Sequence, residues 1–266
     1  MQGRVLSIAG SDSGGGAGIQ ADIKTVTALG GFAMTAITAL TAQNTQGVYQ
    51  IYNVPTSFVA EQIKVVLRDI GADSIKVGML SHPEIIKVVC DTLTQEAPEV
   101  PIIVDPVMVA KGGASLLAEE AVDALKTLMV PRALVLTPNI PEAETLAGIV
   151  APRVEEAEDL ALALSTLGPQ AILLKGGHRD GEEVVDLLME GDRVVEIYKS
   201  PRINTVHTHG TGCTLSSALA IGIAQGLTLS GSVERAREYV QEAIRTAPAY
   251  GGGHGPLNHA HTIIKT

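Results

Sequence analysis

The chain is 266 residues long, 45% hydrophobic and 18% charged, which suits one or two globular domains, and one large α/β domain is the simpler reading because no linker interrupts the pattern. Its formal charge of −10 argues against a nucleic-acid partner, and no apolar run approaches the roughly 20 residues of a membrane span. Its two cysteines, Cys90 and Cys213, make no disulfide framework, and Met1-Gln-Gly-Arg runs straight into an apolar strand, so a cytoplasmic protein is expected.

A strand is predicted over 5–9, followed by Gly10-Ser-Asp-Ser-Gly-Gly-Gly-Ala-Gly18 and a helix carrying Ile19, Ile23 and Val26 that Gly30-Gly31 closes. Glycines here let a ligand or another backbone approach closely. They are not a P-loop, because no Lys-Ser or Lys-Thr follows, and a dinucleotide site would need an acid where 35–41 has none. Asp12 suits a turn cap as well as a ligand, whereas Asp22, on the helix side away from Val26, is better explained by a ligand. In Ala42-Gln-Asn-Thr45, Gln43 either satisfies a loop backbone or presents donor and acceptor side by side to an aminopyrimidine edge. Residues 47–54 read as a short strand pair or flap. Phe58, Val59, Ile63, Val66, Leu67 and Ile70 form a helical stripe entered through Pro55 and Thr56. The strand over 74–77 runs into Gly78-Met-Leu80, where Met79 is either core filler or a surface for a flat ring.

A strand over 102–104 ends in Asp105-Pro-Val-Met108, an acid placed to act on a cation or its waters. Lys111-Gly-Gly113 follows, then a helical stripe from Leu117 to Met129. After the strand over 134–136, Thr137-Pro-Asn-Ile-Pro-Glu142 opens a helix. Asn139 and Glu142 can face one site there, although spacing alone favours a cap with an acid in the first turn. A third stripe runs from Val154 to Leu167. The strand over 172–175 ends in Lys175-Gly-Gly-His178, where the lysine could meet phosphates as a point charge. A hairpin is predicted over 183–189 and 193–199. Thr208-His-Gly-Thr-Gly-Cys213 then opens a helix apolar nearly all round, which should be buried against the sheet. Its amino end offers free N–H groups and the positive end of the helix dipole, an anion hole. A thiol there should ionise more readily than a free cysteine, which makes Cys213 a candidate base. Residues 250–259 read as a loop, and Cys90 as ordinary helix packing. The alternation implies a mostly parallel sheet covered on both faces, with ligands beyond the carboxyl ends of the strands.

These loops, in this order, resemble the ribokinase superfamily and, within it, the hydroxymethylpyrimidine/phosphomethylpyrimidine kinases. The matching stretches lie between residues 7 and 256. They are the first glycine loop through Asp22, Ala42-Gln-Asn-Thr45, Lys76-Val-Gly-Met-Leu80, Asp105-Pro-Val-Met108, Thr137-Pro-Asn139, Lys175-Gly-Gly-His178, His209-Gly-Thr-Gly-Cys213 and Gly253-His-Gly-Pro256. The resemblance implies a ribokinase-like three-layer α/β/α sandwich with a mostly parallel central sheet and a small flap, one domain over 1–266. It implies ATP and Mg²⁺, and phosphate transfer to 4-amino-5-hydroxymethyl-2-methylpyrimidine and then to its monophosphate, in a homodimer. Carried over by position, Gln43 meets the pyrimidine edge, with Gly10, Ala17, Asp22, Met79 and Val107 around the ring. Asp105, Asn139 and Glu142 organise magnesium and its waters, while Lys175, Thr208 and the Gly210-Thr211-Gly212 backbone hold phosphates. Cys213 stands where most of the superfamily has an aspartate base.

Three other readings stay open. A pyridoxal kinase that shares this cysteine typically has a second one after Asp-Pro-Val-Met, where this chain has Val109-Ala-Lys-Gly-Gly113. A non-catalytic small-molecule sensor on the same fold would be expected to lose some of Asp105, Asn139, Glu142, Lys175 and Cys213, all of which are present. A metalloprotein would draw on His207, His209, His254, His259 and His261, but no acid or cysteine completes a ligand set.

Overall fold

The computed structural model describes residues 2–109, 113, 116–118, 120–150, 156–178 and 181–263. Val154, Ala110, Lys111 and Gly112, which entered the sequence reading, lie outside them.

Five short apolar strands lie side by side and parallel with β2 (Phe32–Asn44): β1 (Arg4–Asp12), β4 (Ser74–Val77), β5 (Ile102–Val104), β6 (Val135–Leu136) and β7 (Ala171–Leu174). Three antiparallel strands finish the edges. β3 (Gly47–Asn53) pairs with β2, while β8 (Glu183–Glu190) and β9 (Arg193–Pro201) form the expected hairpin beside β7. The order is β3-β2-β1-β4-β5-β6-β7-β8-β9.

Side-chain alternation along the strands divides the core in two. Leu6, Ile8, Ile75, Val77, Val104 and Leu136 face one layer of helices: α2 (Thr56–Asp69), α3 (Pro83–Glu96), α4 (Ala121–Ala124), α5 (Ile140–Ala147) and α6 (Ala157–Ser165). Val5, Ile103, Val135 and Leu173 face the other: α1 (Gly18–Ala28), α7 (Thr211–Ala224) and α8 (Leu229–Arg245). The result is the ribokinase-like three-layer sandwich. Each fully buried Leu or Ile on these strands contributes about 1.5–3 kcal/mol, so both faces must be covered for the sheet to persist.

Some elements depart from the sequence reading. β1 extends to Asp12 because its pairing with β2 resumes after an irregularity between Ala9 and Ser11, at Gly10. Phe58 and Ile70 are exposed, while Val59, Ala60 and Ile63 are buried on α2 and Val66 and Leu67 pack half-buried against the same core. Ile23 on α1 is exposed as well. The single helix expected up to Met129 is instead four α-residues, a π-turn over Leu125–Met129 and a 3₁₀ turn over Val130–Arg132. Pro131 has no N–H with which to continue an α-helix. α7 is buried over residues 214–222, as its all-round apolarity requires, and lies so close to α8 that a Cβ on Gly222 would meet the Ser232 hydroxyl at 2.6 Å.

Candidate active site

The carboxyl ends of β1, β4, β5, β6 and β7 and the amino end of α7 converge, and there the predicted loops meet. Gly210 caps α7 with φ +84°, a backbone state open to glycine at no steric cost. A Cβ on it would overlap the Gly16 carbonyl, so the loop before α7 lies directly on the first glycine loop. Thr211 Oγ1 donates to Thr208 O at 2.7 Å and Thr214 Oγ1 to Gly210 O at 2.8 Å, which pins the first turn. Gly210 has no side chain with which to cap the helix; Thr211 N donates to Thr208 O at 3.4 Å, and the next N–H groups, of Gly212 and Cys213, are left open to an anion.

Across this turn stand Asp105 and Lys175. Asp105, 2% exposed after β5, accepts from Lys175 Nζ at 3.0 Å, from Ser216 Oγ on α7 at 3.4 Å and from Thr137 Oγ1 at 3.5 Å. A Cβ on Gly212 would lie 3.3 Å from Lys175 Nζ and 3.5 Å from Asp105 Oδ2. The lysine, the acid and the anion loop therefore form one cluster. Lys175 lies just past the end of β7, not within it, and its backbone bridges to Asn139. Asn139 and Glu142 make a full capping box on α5: Asn139 Oδ1 accepts from Glu142 N at 2.9 Å and Glu142 Oε2 from Asn139 N at 2.8 Å.

The Glu142 cap also has a charge problem. Burial pushes its carboxyl up to about 7, with Asp105 acting in the same direction and Lys175 opposing. Burial works against the Lys175 ammonium, yet Asp105 and Glu142 hold it above its ordinary value. A folded value above the unfolded one means the folded chain holds the Glu142 proton more tightly. Its contribution to stability is complete below about pH 4.5 and is lost as pH rises through about 7. Thermal melts of the ligand-free protein between pH 5 and 8 should show this loss, and Glu142→Gln should flatten it.

The residues expected around the ring lie at the end of β1, in the loop after it, on β2 and in the loops after β4 and β5. A Cβ on Gly10 would meet Met79 Sδ at 2.9 Å, so the bulge of β1 rests on a buried methionine. Ala17 N donates to Asp12 Oδ2 at 2.9 Å, and Val107 N donates to the Asp105 carbonyl at 2.8 Å. Gln43, half-buried, accepts from Thr41 Oγ1 at 3.1 Å, and its Nε2 lies 3.4 Å from His209 Nε2.

Two sequence expectations need correction. Asp22 does not face an open ring site. It is 1% exposed and ion-paired with Lys76 Nζ at 3.1 Å, and it accepts from Ser7 Oγ at 2.5 Å and Ser217 Oγ at 2.6 Å. In the sequence reading Lys76 stands only within a matching stretch, and its pairing with Asp22 is missed. The signal was present, because a lysine between Ile75 and Val77 in an apolar strand must find a carboxylate if it is buried.

Cys213 also differs from expectation. The residue is half-buried, and desolvation pushes its thiol up to about 11. Asp22 and Asp105 act in the same direction, and Lys76 and the Gly18 N–H only partly oppose them. Two neighbouring carboxylates and a dry setting outweigh the helix dipole. In the ligand-free protein the group is a neutral thiol. Cys213→Ala should therefore slow turnover at saturating substrates without abolishing it, and unchanged turnover would remove Cys213 from catalysis.

The histidines are taken up separately: His209 contacts Asp12, His254 the Val206 carbonyl, His259 Thr214 and His261 the Tyr239 carbonyl. Among the described residues no group of three or more His, Cys, Asp or Glu could hold a metal ion. No described helix is long and apolar enough to cross a membrane.

A helix amino end without a side-chain cap, set against a lysine and two buried acids beyond the strand ends of this sandwich, has the layout of a ribokinase-like small-molecule kinase. The chain belongs to the phosphomethylpyrimidine kinase family, whose family model matches residues 12–258. It is 45% identical over 257 residues to a hydroxymethylpyrimidine/phosphomethylpyrimidine kinase of Bacillus subtilis, covering 96% of this chain and 94% of that one. It is 49% identical over 258 residues to the thiamine biosynthesis bifunctional protein ThiED of Geobacter sulfurreducens; the match takes in 97% of this chain but only 52% of that longer protein. Among solved structures, it is similar to a phosphomethylpyrimidine kinase from Clostridium difficile, at 41% identity and TM-score 0.80, covering 91% and 99% of the two chains. It is also similar to a Bacillus subtilis pyridoxal kinase in complex with ADP, at 32% identity and TM-score 0.89, covering 98% of each chain.

Proposed function

We propose that this chain transfers the terminal phosphoryl group of ATP to the hydroxymethyl group of 4-amino-5-hydroxymethyl-2-methylpyrimidine. It then phosphorylates the monophosphate to the pyrophosphate used in thiamin synthesis. The observation that carries the reading is the placement of the α7 amino end. Gly212 stands beside Lys175 and Asp105, and Gly210 lies on the glycine loop whose far side leads to Met79 and Gln43.

In this reading the backbone of Gly210, Thr211 and Gly212 and the Lys175 ammonium hold the transferring phosphoryl oxygens, with Thr208 and Asn139 at the nucleotide. Donors fixed before the reaction need no reorganisation as charge develops, which is where such sites gain most of their rate. Gln43 reads the amino edge of the pyrimidine, and Gly10, Ala17, Met79 and Val107 close around the ring, with Asp22 supporting that wall through Lys76. Cys213 takes the alcohol proton as the new O–P bond forms only in its thiolate form, its own proton having first passed to solvent, which burial makes unfavourable.

Magnesium fits the acids. Asp105 and Glu142 are two acids beside one lysine; burial is the main cause of the raised Glu142 value and Asp105 adds to it, and a divalent cation would offset both. These two would hold it, and it would supply charge neutralisation to the phosphates. The family resemblance also carries the homodimer and the cytoplasmic location into the proposal.

Pyridoxal kinase is the competing reading, because a kinase of that name has the same fold at TM-score 0.89. The higher identity to the phosphomethylpyrimidine kinase structure supports the pyrimidine. Steady-state kinetics with each alcohol and Mg-ATP tests it. We expect kcat/KM for the pyrimidine to exceed that for pyridoxine by about tenfold or more, and the reverse order would overturn the substrate assignment.

A further inference from the structure

His209 stands outside the roles assigned so far, yet it touches three loops of the site. Its Nε2 lies 2.8 Å from Asp12 Oδ2 and 3.4 Å from Gln43 Nε2. Its backbone N donates to Gly255 O at 3.2 Å, and its strand-like bridge to Pro256 ties in the glycine-rich tail. Its ring also fills the space where a Cβ on Gly16 would be. The residue after it is Gly210, the cap of the anion-binding helix.

We infer that His209 is a positioning residue for the pyrimidine: by committing its Nε2 proton to Asp12, it keeps the amide donors of Gln43 free for the ligand and held in register with the phosphate loop. The inference rests on the pyrimidine reading above.

The donor and acceptor roles follow from Asp12. Its carboxylate accepts from Gly14 N at 2.8 Å, Gly16 N at 3.0 Å and Ala17 N at 2.9 Å. Although burial alone would raise the Asp12 carboxyl, these bonds and His209 hold it below its ordinary value, so it is ionised and can only accept. The hydrogen between Asp12 and the ring therefore belongs to Nε2. An Nε2 that carries a proton aimed at Asp12 has no lone pair for Gln43. Thr41 Oγ1 shares its one hydrogen between Ser11 O at 3.0 Å and Gln43 Oε1 at 3.1 Å, so Gln43 Oε1 keeps a lone pair for the ligand, and beyond the His209 ring nitrogen no acceptor among the described residues meets the Gln43 Nε2 hydrogens. They are the groups left to meet a ring nitrogen. If the ring held the other tautomer, its Nε2 lone pair would draw the Gln43 amide to itself.

The phosphate loop does not depend on this ring. It is held by the contact of Gly210 with Gly16 and by the Thr211 and Thr214 hydroxyls. Loss of His209 should therefore fall on the pyrimidine much more than on the nucleotide.

The test is calorimetric titration of 4-amino-5-hydroxymethyl-2-methylpyrimidine, and separately of a non-hydrolysable ATP analogue, into wild type, His209→Ala and His209→Gln. Alanine is expected to weaken pyrimidine binding about tenfold and leave analogue affinity within about threefold. Glutamine, whose amide N–H reaches the same Asp12 oxygen, should recover most of the loss. Unchanged pyrimidine affinity in the alanine variant would overturn the inference. So would equal losses of both ligands that glutamine does not repair, since that pattern belongs to loop support alone. Failure of wild type to bind the pyrimidine would count against the substrate reading instead. Long-range ¹H–¹⁵N NMR of the imidazole then judges His209 by itself: a protonated Nε2 supports the assignment, and an unprotonated one overturns it.

Discussion

Replacing Gly210 with alanine is expected to lower kcat by about 10²–10³-fold, the loss seen when an oxyanion donor is removed, in a protein that still folds. Two effects act on such a variant, and their sizes differ. The left-handed backbone, φ +84°, costs an alanine only about 1–2 kcal/mol. The added Cβ, however, would overlap the carbonyl of Gly16, a backbone atom that cannot rotate away. The loop must move, and with it the N–H groups proposed to meet the phosphate. Gly226→Ala is the control. Its φ is +81°, but nothing lies within 4 Å of its Cβ position, so it should lose stability without losing turnover. Steady-state kinetics and thermal melts of both variants separate strain from displacement.

Lys175→Met should be as severe, with kcat falling by about 10³-fold. The ammonium lies 3.0 Å from Asp105 and beside Gly212, so it balances the buried acids and stands where the proposed reaction would put the phosphates. Without it, Asp105 and Glu142 repel each other unopposed, and Glu142 should hold its proton to a higher pH. A second readout follows: the stability loss that wild type shows as pH rises through about 7 should move upward in Lys175→Met. Lys175→Arg should not restore turnover, because a planar fork does not replace a compact point charge in a site this closely packed.

The parallel strands were legible because both their faces are buried, which leaves unbroken apolar runs. The strands over 74–77 and 102–104 agree with β4 and β5 to the residue. Loops after those strands carried the site, since only there could Asp105, Asn139 and Lys175 stand together. What stayed hidden depends on contacts distant in sequence. Asp22 looked free on its helix because its partners, Lys76 and Ser217, are 54 and 195 residues away. The Cys213 thiol looked acidic because a helix terminus is a local feature, whereas the opposing carboxylates arrive from α1 and from the end of β5. His209 was weighed only as a metal ligand, because its partner Asp12 is 197 residues away. Phe58 shows the converse failure: periodicity placed it on the buried stripe, yet α2 turns it outward.

The most direct test is a time course with purified protein, Mg-ATP and 4-amino-5-hydroxymethyl-2-methylpyrimidine, with pyridoxine run in parallel and products followed by mass spectrometry. The expected result is the pyrimidine monophosphate first and the pyrophosphate after it, with one ATP consumed at each step. A pyrimidine that stays unphosphorylated while pyridoxine is converted would contradict the assignment.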